Sequence, residues 1–259
     1  MSRLRGAEPF LVAAAALGSA AVLFIFVPLA ALFLLLDPGA LAEVASRQPY
    51  APEVAAAFAT TFTASGLSTA LVAAAGVPLG YLLARRDFAG KALVESLVDI
   101  PLMLPHVVAG IMLLVAYGRR GLLPLGIEDT FWGVVAVMAF VSAPIMVDTA
   151  KAGFASVDES LERVARSLGA TPGRAFLTVT LPLASRSILA GAILSWARAL
   201  SEVGALLIVA YYPKTVNILV LEYFNAYGLR FAVALAAPLA ALAIALFAAL
   251  RVVVRGAKD

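Results

Sequence analysis

The sequence predicts an all-α integral membrane protein with six transmembrane helices and a polar loop between the fourth and the fifth. Three observations predict it. Hydrophobic residues make up 63% of the 259 and mean hydropathy is +1.00, whereas water-soluble chains hold about 45–50% apolar residues. Six apolar runs stand apart, each near the roughly 20 residues that a helix needs to cross a bilayer. The basic residues sort to one side when those runs are threaded alternately through a membrane.

Backbone polar groups cannot stay unpaired in lipid, so each run is expected as a helix. The first extends from Phe10 to Leu36 and ends at Asp37-Pro38-Gly39. It exceeds a cleavable signal core of about 7–15 residues, so it is expected as a retained span. A mixed loop with Glu43, Arg47, Pro49, Pro52 and Glu53 follows. The second span runs from Thr61 to Ala84 and stops at Arg85-Arg86-Asp87. The third, Leu97 to Tyr117, carries Pro101 and Pro105 near its start, which break or kink it. The fourth covers Phe131 to Ala150, the fifth Ile188 to Ala210, and the sixth Phe231 to Leu250. The chain thus divides into an N-terminal helix with an external loop over 1–58, a core over 59–250 and a short cytoplasmic tail over 251–259.

With the N-terminus inside, the inner segments hold Arg3, Arg5, Arg85, Arg86, Lys91, Lys151, Arg163, Arg166, Arg174, Arg186, Arg251, Arg255 and Lys258. The outer ones hold Arg47, Arg119, Arg120, Lys214 and Arg230. Thirteen against five, with Arg198 inside a span, accounts for all 19 basic residues. This bias places both termini and the polar loop in the cytoplasm of a multi-pass protein. It also explains the net charge of +3 without a nucleic-acid partner.

The polar loop, Ala155 to Pro182, is punctuated as two short helices. Ser156 and Glu159 have the S-x-x-E spacing of a capping box. Leu161, Val164, Ala165 and Leu168 fall at i, i+3, i+4 and i+7, an apolar stripe, with Glu162, Arg163 and Arg166 on the other side. Gly169 stands where a left-handed residue ends a helix. Thr171 then caps a second helix whose first position is Pro172, and Leu181-Pro182 closes the segment. Ala170 lies between the two.

The fifth span carries polar residues where they cost most. Gly191, Ser195, Arg198 and Glu202 form one stripe on an apolar helix. A mid-membrane charge costs about 2.5–3.5 kcal/mol on insertion scales, so such residues face a bundle interior or a water-filled path. Two readings stand side by side. Arg198 and Glu202 pair as i, i+4 neighbours and hold packing, or Ser195, Arg198 and Glu202 line a translocation path. His106 reads as a packed or hydrogen-bonded histidine. Asp148 and Lys151 read as a local pair, and Tyr211 and Tyr212 as interface aromatics.

Several functions are excluded. Cysteine is absent and His106 is the one histidine, so no metal site or thiol chemistry is expected. There is no G-x-x-x-x-G-K-[ST], so any ATP is bound by another chain and no cofactor is expected here. A membrane enzyme needs several groups converging at one depth, and only Arg198 and Glu202 offer themselves. A DNA reader needs a helix free to enter a groove, and this loop is tethered at both ends.

The Gly169 to Leu181-Pro182 spacing, on a helix-turn-helix between spans, resembles the EAA loop of ABC importer permeases. Arg163 occupies the position of the family's acidic residue, with Glu162 one place earlier, and Ala165 fits its second alanine. The runs DIPLMLPHVVAG, AKAGFASVDESLERVARSLGATP and SWARALSEVGA are similar to permeases of molybdate, tungstate and sulfate importers. The resemblance implies a type I importer permease fold and a homodimer. Cytoplasmic ATP-binding cassette subunits would dock on a coupling helix in the loop, through Glu162, Arg163, Ala165, Leu168, Gly169, Ala170, Pro172 and Pro182. An extracytoplasmic binding protein would deliver a tetrahedral oxyanion, with molybdate or tungstate as the main expectation and sulfate or thiosulfate as the alternative. Two Arg198 side chains near a shared axis would repel, so a resting dimer is expected to hold them apart or paired with Glu202.

Overall fold

A computed structural model describes residues 9–256, and every regular element among them is helical. Arg3, Arg5 and Lys258, part of the charge bias above, lie outside the described residues. The first helix, α1 (Pro9–Leu34), is apolar all round and buries none of its side chains in protein. Asp37 ends it and starts α2 (Pro38–Ser46). Its carboxylate accepts from the Gly39 and Ala40 amides at 2.7 and 3.3 Å, and Pro38 sits where no N–H is needed. Arg230 donates to the same carboxylate at 2.6 Å. That bond and the two amides hold the Asp37 carboxyl below its ordinary range.

The stretch expected as a mixed loop is largely helix: α2, then the first turns of α3 (Tyr50–Arg85). Pro52 falls in the first turn of α3, where a helix tolerates it. The third expected span is two helices, α4 (Lys91–Met103) and α5 (His106–Tyr117). Pro105 drives Leu104 into an extended conformation (φ −78°, ψ 139°), which stops α4 outright. Thr130 caps α6 (Phe131–Ala155) by accepting from the Gly133 amide at 2.9 Å.

The polar loop follows as α7 (Glu159–Ser167) and α8 (Pro172–Ala175). A π turn, Phe176–Thr180, then runs without a break into α9 (Leu181–Leu200). Leu181-Pro182 therefore does not close the segment. The i+5 bond from the Leu181 amide to the Phe176 carbonyl leaves Pro182 in the first turn of a re-registered helix, where its missing N–H is harmless. The chain continues as α10 (Leu206–Val209), α11 (Val216–Tyr227) and α12 (Leu229–Gly256), so helix covers most of the stretch read as a tail.

Among the described residues, four helices are long and apolar enough to cross a membrane: Pro9–Leu34, Tyr50–Arg85, Phe131–Ala155 and the continuous Pro172–Leu200. His106–Tyr117 and the Leu229–Ala245 part of α12 are apolar but shorter. The centre is α3, α6 and α9, with α6 supplying a long series of buried residues from Gly133 to Phe154. Their seams are closed by small and paired polar residues, as helix contacts in lipid require. The Trp196 indole donates to Ser65 Oγ at 2.7 Å, and Ser195 Oγ donates to the Ser142 carbonyl at 3.2 Å.

At one end, Lys214 bridges Glu53 on α3 (2.8 Å) and Glu222 on α11 (2.6 Å). Partial burial works against its charge, but hydrogen bonds to Glu222 and Glu53 outweigh this and raise its pKa above the ordinary lysine value. At the other end, Lys151 pairs with Glu95 on α4 at 2.6 Å rather than with Asp148.

The α3–α6 seam has no room for a methyl group at Gly80. A Cβ there would lie 2.8 Å from Ala150 Cβ and 2.9 Å from the Lys151 nitrogen and the Val147 carbonyl oxygen. Gly66 on the same helix has open space around it. Gly80→Ala is expected to destabilise by about 1–3 kcal/mol through overpacking. Gly66→Ala is expected to stabilise by up to about 1 kcal/mol through helix propensity. Melting temperatures in detergent that moved the same way for both would refute this account of the seam.

Candidate functional site

The fifth expected span breaks in its middle. Helix α9 ends at Leu200, and regular helix resumes only at Leu206. In lipid every backbone group freed by such a break needs a protein partner. Asn217, on α11, supplies two bonds: its Nδ2 donates to the Leu200 carbonyl at 2.7 Å and to the Glu202 carbonyl at 3.2 Å. Glu202 supplies another, its Oε1 accepting from the Ala205 amide at 2.9 Å. Two glycines let α5 close over the break. A Cβ on Gly204 would lie 2.7 Å from His106 Cβ, and one on Gly110 would lie 2.9 Å from the Ala205 carbonyl oxygen.

The break gathers the charged residues. Glu202 is completely buried. Arg198 Nη1 lies 3.0 Å and His106 Nδ1 2.8 Å from Glu202 Oε2, and His106 Nδ1 is also 3.0 Å from Oε1. A carboxylate only accepts, so Nδ1 of His106 must carry a proton; the hydrogen-bond network assigns it there. Arg198 Nη2 rests 3.3 Å from His106 Nε2 and 3.5 Å from Nδ1, so the guanidinium lies against the imidazole. An uncompensated buried carboxylate would be strongly unfavourable, and these two groups together with the Ala205 amide offset that cost.

Sequence reading found Arg198 and Glu202, and the pair forms. It missed His106 as their third member. The available signal was that this lone histidine follows Pro105 and so begins a new helix. Ser195, placed on the same stripe, is buried against α6.

In the polar loop, the helix cap is Asp158 and not Ser156. α6 extends to Ala155 and takes Ser156 as its C-cap, where the Ser156 hydroxyl donates to the Gly153 carbonyl at 2.7 Å. Asp158 then accepts from the Ser160 amide at 2.8 Å, which holds its carboxyl below the ordinary range. The end of α7 is a Schellman motif. Gly169 has φ +93°, its amide bonds to the Arg166 carbonyl at 3.0 Å, and the Ala170 amide bonds to the Ala165 carbonyl at 3.1 Å. Thr171 Oγ1 accepts from the Arg174 amide at 3.3 Å, with Pro172 at the first helical position.

The expected stripe on α7 divides. Of its members Ala165 faces the body of the protein, while Leu161, Val164 and Leu168 are exposed, Leu168 to 84%. Glu162, expected on the opposite polar side, also faces inward because Tyr81 and Thr180 hold it. Glu162 fastens the loop, accepting from Tyr81 Oη of α3 at 2.8 Å and from Thr180 Oγ1 of the π turn at 3.1 Å. Arg85, near the end of α3, donates to the Val157 carbonyl at 2.6 Å and pairs with Glu159 at 3.4 Å. Arg163 is exposed and pairs with Glu159 at 3.5 Å. Pro172 and Pro182 are exposed, and Ala170 is half-buried.

Residues 76–259 match the family described as binding-protein-dependent transport system inner membrane component. The chain belongs to that family. It is 49% identical to the molybdate/tungstate transport system permease protein WtpB of Thermococcus kodakarensis, over 92% of this chain and 93% of that one. It is 42% identical to the protein of the same name from Methanocaldococcus jannaschii, over 88% and 90% of the two chains. Among solved structures, a bacterial ABC transporter that imports the acidic polysaccharide alginate superposes with a TM-score of 0.69 over 96% of each chain. At 17% identity that likeness speaks for the fold alone. The chain is thus a multi-pass membrane component of an importer, consistent with a sequence that carries no ATP-binding motif of its own.

The break generates a prediction. Asn217→Ala leaves two carbonyls without their donor, so it is expected to cost about 1–3 kcal/mol for each group left unsatisfied. Thermal unfolding in detergent should show the loss, and an unchanged melting temperature would mean that water or lipid headgroups already serve those carbonyls.

Proposed function

We propose that the chain is the transmembrane permease subunit of an ATP-driven importer of molybdate or tungstate, forming its path by alternating access. The identity of 42–49% with molybdate/tungstate permeases over about nine-tenths of the chain carries this reading. The permease acts as a homodimer with six crossings per copy, both termini inside. Cytoplasmic ATP-binding cassette subunits and an extracytoplasmic oxyanion-binding protein complete it. The deciding experiment is reconstitution of the permease with its ATPase and binding protein in liposomes. Molybdate- or tungstate-loaded binding protein should stimulate ATP hydrolysis and sulfate-loaded protein should not. Stimulation by sulfate or thiosulfate alone would overturn the choice of cargo.

The loop supports a role in docking the ATPase. The exposed row Leu161, Val164 and Leu168 offers apolar area to a partner, with Arg163, Ala170, Pro172 and Pro182 around it. Glu162 and Ala165 support that row from behind. Gly169→Val places a β-branched residue at φ +93° with nothing crowding it, so its cost is purely backbone, about 1–2 kcal/mol. It is expected to abolish most stimulated ATPase activity while leaving the amount of folded permease near wild type. Full stimulation would remove the loop from the coupling scheme.

The path runs beside the α9 break, with Arg198 and Glu202 at its polar constriction and Ser195 on the supporting face. Arg198→Ala is expected to lower uptake far more than folded yield, and equal losses would favour a packing role. For orientation, a cysteine at Ser167 should react only from the cytoplasmic side and one at Asn225 only from outside. Both positions are exposed on a chain that has no cysteine. The reverse pattern would invert the topology.

A further inference from the structure

Resting on the reading that the α9 break borders the path, we propose that Arg198 and His106 form an oxyanion subsite in which Glu202 is the resident anion. The carboxylate holds the two donors in the empty transporter and gives them up to a passing tetrahedral dianion.

The convergence is the first argument. Arg198 comes from α9 and His106 from the first turn of α5, and both reach one carboxylate within 3.0 Å. Such an approach exists only because Gly204 has no side chain. A helix-stabilising i, i+4 pair would need neither His106 nor a broken helix.

The arrangement of access is the second. Glu202 is sealed, whereas the Arg198 side chain is 21% exposed and that of His106 is 50% exposed. An anion arriving from the open side meets the donors before it meets the carboxylate. The guanidinium is also underused, whereas His106 Nδ1 already bonds Oε1 at 3.0 Å. Oε2 of Glu202 has both groups at ion-pair distance but makes no well-angled hydrogen bond with either. Apart from its ion pair with Glu202, the one hydrogen-bond acceptor that the Arg198 guanidinium meets among the described residues is His106 Nε2, at 3.3 Å, because Nδ1 already carries a proton. Guanidinium offers five N–H donors in a planar fork suited to an anion with two oxygens on one edge. An oxyanion can supply the geometry that Glu202 does not.

The energetic role of Glu202 follows. A path lined by unopposed cations would bind a dianion tightly and release it slowly. A carboxylate tied to the same two donors competes for them and repels the dianion, so the subsite binds weakly enough to turn over. Glu202 also stays in place after exchange, because its Oε1 is still held by the Ala205 amide at 2.9 Å.

The test measures tungstate retained per permease after washing of the detergent-purified complex with its ATPase subunits, alongside uptake in liposomes. Glu202→Gln keeps the acceptor for the Ala205 amide and removes the competing charge. It should retain roughly tenfold or more tungstate than wild type, with slower uptake. Adding His106→Ala to Glu202→Gln should return retention toward wild type. Equal retention in folded Glu202→Gln and wild type overturns the proposal. If Glu202→Gln proves unfolded by thermal scan, Glu202→Asp takes its place. Its shorter carboxylate keeps the charge but loses reach to His106, so increased retention is again expected and unchanged retention again overturns the proposal. Arg198→Ala separates the two levels of the argument. Normal uptake by that variant would refute the path reading itself, whereas lost uptake without a gain in Glu202→Gln would refute only the resident-anion inference.

Discussion

The structure depends on one buried carboxylate. Glu202 has no contact with solvent, and the cost of holding it there governs its surroundings. Arg198 must stay on the same side of α9, His106 must begin a helix at the same depth, and Gly204 must lack a side chain. The break that presents Glu202 frees backbone carbonyls in turn, and α11 must dip inward so that Asn217 can reach them. Removing any one of these features leaves another without its partner, so the region behaves as a unit.

A second chain of contacts runs along α3. Its 36 residues carry Glu53 near one end and Tyr81 and Arg85 near the other. Glu53 takes Lys214, next to α11, while Tyr81 and Arg85 hold the polar loop through Glu162, Val157 and Glu159. One rigid element therefore touches both the segment that caps the α9 break and the loop with the exposed apolar row. The aromatic rings of Tyr81, Phe154 and Phe176, with centroids 4.8–5.8 Å apart, brace the loop end of that rod.

Much of this was legible in the residues, and the failures have physical reasons. The long helices α1, α3 and α6 followed from hydropathy, and Gly169, Thr171 and Pro172 announced the loop's turns because their backbone chemistry is local. The Arg198–Glu202 pair was visible because i, i+4 spacing fixes proximity. His106 was not, since its 96-residue separation from Glu202 is bridged only by tertiary packing. Ser156 and Asp158 competed for one cap, and the choice turned on how far α6 extends, which no local pattern determines. The break at Ser201 lay hidden inside an apolar run. Lipid tolerates such a break only when a distant side chain serves it, here Asn217. The π turn before Pro182 escaped for a similar reason, because one extra residue in a turn leaves no mark on composition.

The first helix stands apart from all of this. It satisfies its own backbone and buries no side chain in protein, so its lateral packing contributes little to holding the core together. What governs it is the match between its 26 residues, a length of roughly 39 Å, and a hydrocarbon layer about 30 Å thick. The excess is relieved by tilting or by local thickening of the bilayer, at a fraction of a kcal/mol per Å. Bilayer thickness thus sets the lean of α1, whereas the helices behind it are also held by charge and packing.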